Sequence, residues 1–220
     1  MYGLSRAPIC HLPPGGDFII KSAEEWVSVL DMIDKPACRA SLSYRSSRDG
    51  GDFGTMVDKA GDASGLLFLI NHNDTYRFGA FVDGRLKPPA DPTQTSGHYK
   101  VPHFFISISG AYGKVTKVPI PEAKQRVEVA GRDASIEASN QDSRGKLYLG
   151  EGYLWLAWAA PGPADDVRCC NNHINKDDLP DGYLDQCNDY GQGTLAGGFT
   201  FHAKEIEVWH VVSGGVAKSA

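Results

Sequence analysis

The stretch "SGLLFLINHNDTYRFGAFVDG" at 64–84 constrains the fold more than any other. Two runs of aliphatic and aromatic residues flank a polar turn at 71–74, which is the pattern of a β-hairpin with a buried first strand. The apolar run "GLLFLI" at 65–70 is far too short to span a bilayer. It must therefore be covered by other parts of the same chain.

The remaining segments supply that cover. "KSAEEWVSVLDMI" at 21–33 reads as an amphipathic helix: Ser22 is the N-cap, Glu25 follows three residues later, and Trp26, Val29, Leu30 and Ile33 recur at helical spacing, with Pro36 beyond its end. "SLSYR" at 41–45 alternates as a strand and "SSRDGG" turns the chain. "FGTMVDKAG" at 53–61 has Phe53, Met56, Val57 and Ala60 on one helical face. Residues 83–103 carry four prolines and read as a surface loop, while "FFISISG" at 104–110 is a clear strand. Shorter strands are expected at "RVEVAG" (126–131), "ASIEAS" (134–139) and "KLYLG" (146–150).

"YLWLAWA" at 153–159 is apolar and aromatic throughout. Either both of its faces are covered or one of them is a contact surface. Residues 160–198 read as an irregular acidic loop, and "FTFHAKEIEVWHVV" as a terminal strand. Many short strands, few helices and Gly-rich turns predict a mainly β fold, a two-layer antiparallel β-sandwich with short flanking α-helices. The expected organisation is a flexible arm at 1–19, one domain at 20–212 and a tail at 213–220.

Composition narrows the partners. Twenty-seven acidic against 22 basic residues give a formal charge of −5, without a dense Lys/Arg run, so a nucleic-acid partner is not expected. The start "MYGLSRAPICHLPPGGDF" lacks a basic segment followed by an apolar one, so no secretory signal is read. The five cysteines, Cys10, Cys38, Cys169, Cys170 and Cys187, cannot all pair internally. A reducing compartment follows, with a cytoplasmic location as the expectation and a secreted or cell-surface one as the alternative.

Four blocks in order resemble the TLDc domain of eukaryotic oxidation-resistance proteins and regulators of the vacuolar proton pump: "SLSYRSSRDGGDF", "SGLLFLINHNDTYRFGAFVDG", "HFFISISG" and "CNDYGQGTLAGGFTFHAKEIEVWHV". Together they extend over roughly residues 22–212, with a departure at 151–189. The resemblance implies a non-catalytic regulatory domain, with a protein partner and the vacuolar proton-pumping ATPase as the named candidate. It marks Glu207 and Trp209 as positions of interest.

No coherent catalytic set stands out, so no catalytic residue and no enzyme activity is expected. Arg45, Arg48 and Asp49 suit a clasp in which guanidinium and carboxylate fix the strand-to-helix turn, or a partner contact. Glu205 and Glu207 share one side of the last strand, as a solvated face or as partners of the arginines. Tyr153 and Trp155 are candidate anchors on an interaction surface.

The density of oxygen donors at 165–189 raises a calcium alternative through Asp177, Asp178, Asp181 and Asp185, although EF-hand order is absent. Cys169, Cys170, His173 and Cys187 make a poor zinc set because the usual two-residue spacer is missing. The leading expectation is a protein-interaction or regulatory domain. The alternative is a calcium-dependent surface or carbohydrate-binding module.

Overall fold

A computed structural model describes residues 17–35, 39–136, 145–159 and 164–213. Helix α1 (Ala23–Ile33) starts as its sequence dictates: Ser22 Oγ accepts the Glu25 amide at 3.1 Å, and Asp34 ends it in the left-handed region. Strand β1 (Arg39–Arg45) leads into a single-turn helix, α2 (Ser46–Asp49), and then α3 (Phe53–Ala60), whose N-cap Asp52 accepts the Thr55 amide. The hairpin β2 (Leu66–His72) and β3 (Tyr76–Val82) is present, turning through Asn73 and Asp74 at positive φ. Asn71 secures this turn: its Nδ2 donates to Asp74 Oδ1 and its Oδ1 accepts the Asp74 amide.

Next come β4 (Gly97–Lys100), β5 (His103–Ser109), β6 (Thr116–Pro119), β7 (Arg126–Val129), β8 (Gly145–Leu149) and β9 (Leu154–Trp158). The chain closes with β10 (Cys169–Asn172), β11 (Ile174–Asn175), β12 (Gln192–Gly193), β13 (Thr200–His202) and β14 (Glu205–Val212). Every pairing is antiparallel. One six-stranded sheet runs β1-β14-β2-β3-β5-β6, a second runs β13-β10-β9-β8-β7-β4, and β11 pairs with β12 alone. The predicted sandwich with short flanking helices is therefore the observed fold.

The two faces of the first sheet meet different cover. Leu66, Phe68, Ile70, Phe78 and Phe105 face the second sheet, whose Val127, Leu147, Leu149, Leu154 and Leu156 complete that core together with α3. Leu67, Leu69, Ile106 and Trp209 face the other way, onto Trp26, Val29, Leu30 and Ile33 of α1. Burial on both sides explains why "LLFLI" does not alternate. No described helix is long and apolar enough to cross a membrane.

Several sequence expectations need correction. The loop at 83–103 contains β4, which pairs with β7. The irregular region at 160–198 holds β10, which lies between the edge strand β13 and β9 in the second sheet and has Cys169, Cys170 and Asn172 buried. Polar Cys-Cys-Asn-Asn composition hid a strand that packing made. Of "ASIEAS", residues 134–136 form no strand and 137–139 lie outside the described residues. Residues 17–19, expected at the end of an arm, lie on the first sheet, where Ile19 is buried. Residues 1–16, Cys10, Pro36, Cys38 and the tail from 214 also lie outside the described residues.

Candidate functional site

The clasp expected around the Arg-Asp-Gly turn exists, with a different division of labour. Arg45 Nε donates to Glu205 Oε2 at 3.0 Å, across the β1 and β14 ends. Ser46 Oγ and the Ser47 amide both donate to Glu205 Oε1, while Ser46 Oγ also accepts the Ile206 amide at 3.0 Å. Burial pushes the Glu205 carboxyl up, and these donors outweigh it, so it sits below its ordinary range. Glu205 is the acceptor that fixes the strand-to-helix knuckle.

Arg48 instead reaches its neighbour. It donates to Asp49 from Nε and Nη2, the latter at 2.7 Å, and to the Ser43 carbonyl. Its side chain is 49% exposed whereas that of Asp49 is 8% exposed, and Asp49 also accepts the Arg45 amide. The hydrogen bond from Arg48 is the largest influence on Asp49 and holds its carboxyl below the usual range.

Glu207, read from sequence as on a solvated or arginine-paired face, is fully buried, with its Oε1 3.9 Å from Arg45 Nε. Its two oxygens accept the Ile19 amide at 3.1 Å and the Trp209 indole N–H at 3.0 Å. Burial raises its carboxyl above the ordinary range, and the hydrogen bonds only partly offset this. Trp209 is itself buried against Trp26 and Phe18. Both carboxylates are thus committed to protein donors, and the two positions act in the scaffold joining β14 to α1 and to the turn.

The aromatic strand divides. Tyr153 is buried, and its hydroxyl joins Lys124 and Asp178, with Lys124 Nζ donating to the Tyr153 oxygen at 2.7 Å and to Asp178 at 2.6 Å. Trp155 faces outward. Register places His98, Glu128, Tyr148, Trp155, Asn171 and Thr200 directly opposite one another in turn, a single row across all six strands of the second sheet. Their inward neighbours Val129, Leu147, Leu156, Cys170 and Phe201 form the matching core row.

Tyr148 and Trp155 pack with ring centroids 4.2 Å apart and planes tilted by 51°. Strict alternation would send Trp158 to the opposite face, but Ala157 has φ 54° and brings it to 5.0 Å from Trp155. Desolvation first, and then the Glu128 charge, raise the Tyr148 hydroxyl. Sequence reasoning missed Tyr148, Glu128 and Asn171; the alternation of "RVEV" and "KLYLG" held the signal, but only strand register unites them.

Of the four calcium candidates, Asp181 and Asp185 line one surface pocket and Asp177 and Asp178 another. Asp178 is engaged by Lys124 and Tyr153; burial raises its carboxyl and these bonds more than offset it. Asp185 accepts from the Tyr76 hydroxyl at 3.2 Å, and Asp177 and Asp181 are exposed. Among the described residues, Cys169, Cys170 and Cys187 are free thiols. Cys170 faces the core and donates to the Val167 carbonyl, so it is turned away from Cys169 and the poor zinc set does not assemble.

Residues 22–106 match the model of the TLDc domain. No curated protein matches the chain. The matched span contains α1 to α3 and three strands of the first sheet, with most of β5. β14, which separates β1 from β2, comes from far outside it.

Proposed function

We propose that this chain, which carries a TLDc domain over residues 22–106, is a non-catalytic regulatory module that binds a protein partner through the outer face of its second sheet. The observation that supports this reading is the six-residue row centred on Tyr148 and Trp155. The first sheet buries both of its faces, whereas the second presents a pair of packed aromatics flanked by Glu128 and Asn171. Rigid aromatic anchors with polar groups around them are the composition of interface centres.

The TLDc resemblance makes the vacuolar proton-pumping ATPase the partner to try first. Oxidative-stress resistance would then be a cellular consequence of regulation, not a reaction of this chain. The test adds the purified chain to the assembled pump and follows retention on the pump and the fraction of dissociated peripheral sector. Retention with a change in assembly supports the reading; neither effect at micromolar chain removes the pump as partner.

A further inference from the structure

We propose that Asp166, Cys169 and His202 form a binding site for a thiophilic divalent cation of the zinc class. The site lies at the β10–β13 edge of the second sheet, one same-face pair beyond the Asn171–Thr200 end of the aromatic row. Cys169 and His202 are direct register partners. Cross-strand partners on one face bring their side chains together. Asp166 is set by the turn that enters β10: its carbonyl accepts the Cys169 amide at 3.0 Å, and its Oδ1 accepts the Arg168 amide at 2.9 Å. One ligand atom from each of the three lies within 4.8 Å of the others.

The separation of the Asp166 and His202 ligand atoms suits a small tetrahedral ion. His202 Nε2 is 3.5 Å from Asp166 Oδ2. Two ligands at about 2.1 Å from zinc in a tetrahedron are separated by about 3.4 Å. Thiolate, imidazole and carboxylate match a borderline-soft ion, and three protein ligands leave a fourth position for water. His202 is half exposed, which provides an entry path. Cys170, its neighbour, has no such surroundings because it points into the core.

Arg168 is the competing cation. Its Nε and backbone N–H bind Asp166 Oδ1, and its Nη2 donates to Oδ2 at 2.7 Å. Only the last of these must yield for Oδ2 to turn to an ion, and Oδ1 keeps the arginine in place. Sulfur–metal bond formation expels the thiol proton to solvent. Asp166 also abuts Gly51, where an added Cβ would lie 2.5 Å from Oδ1. A bound ion would thereby tie the Arg-Asp-Gly turn to the second sheet.

The test titrates the full chain with Co²⁺ and then competes with Zn²⁺. The expected result is a near-ultraviolet thiolate-to-cobalt absorption that Zn²⁺ displaces. His202→Ala weakens Co²⁺ binding by at least about tenfold, the loss seen even for groups behind metal ligands. Cys169→Ala abolishes the band and Cys187→Ala leaves it intact. Absence of the band, its survival in Cys169→Ala, or unchanged affinity in His202→Ala overturns the site. Because His202 is exposed, that variant decides the matter even if Cys169→Ala does not fold.

Discussion

The Trp209 indole N–H donates to Glu207 Oε2 at 3.0 Å, with both residues fully buried between β14 and α1. Glu205, two residues earlier, has its carboxylate held by Arg45, Ser46 and Ser47. Two glutamates on one face of one strand therefore shift in opposite directions.

Those shifts have opposite consequences for stability. Glu205 has a lowered folded-state pKa, so its contribution is present above the unfolded value and is lost as pH falls through the folded one. Glu207 has a raised pKa, so its contribution is present below the unfolded value and is lost as pH rises through the folded one. Denaturant melts from acid to neutral pH should show wild type gaining on Glu205→Gln and losing to Glu207→Gln as pH rises. Parallel profiles for either variant would refute the assignment for that residue.

The two arginines of the turn should differ in weight. Arg45→Ala breaks the largely buried ion pair with Glu205 and should cost up to about 3–5 kcal/mol, the scale of breaking a buried pair. Arg48→Ala removes a half-exposed side chain from its neighbour and should cost less than about 1 kcal/mol. Chemical denaturation of both variants checks the ranking; equal losses would mean that Asp49, not Glu205, anchors the knuckle.

Gly51 has a steric reason to be glycine. A Cβ there would strike Asp166 Oδ1 at 2.5 Å and Arg168 Nε at 3.0 Å. Gly51→Ala should destabilise by about 1–3 kcal/mol through that overpacking. A melting temperature equal to wild type would show that the Asp166–Arg168 pair shifts freely.

The span 22–106 should not fold alone, although it matches the TLDc model. β14 fills the place between β1 and β2, pairing Arg39 to Arg45 on one side and Leu66 to Asn71 on the other. Its removal exposes two strand edges and uncovers Trp26. Circular dichroism of the isolated span should show no cooperative transition, and a sharp one would contradict this pairing order.

How far the sequence could be read follows from where its signals were local. Ser22 with Glu25, the β2–β3 turn and the stripe of α3 each lie within one element, and each was legible. β10 was not, because Cys169 to Asn172 has no strand-like composition and is held by β9 and β13 from either side. Glu207 could be read only as solvated or arginine-paired, since alternation gives only a side, and the Ile19 amide that it accepts lies far away in the chain. The aromatic row was half legible: Trp155 is evident in "YLWLAWA", whereas Tyr148, Glu128 and Asn171 join it only through register.

The most direct measurement compares partner capture by wild type with that by a Tyr148→Ala/Trp155→Ala double variant, using the assembled vacuolar proton pump as bait. Both side chains lie on the outer face, opposite the sandwich core, so the double variant should keep a cooperative melt. Loss of two central anchors should weaken binding by at least about 30-fold, corresponding to about 2 kcal/mol. A folded double variant that binds the pump as tightly as wild type would contradict the account.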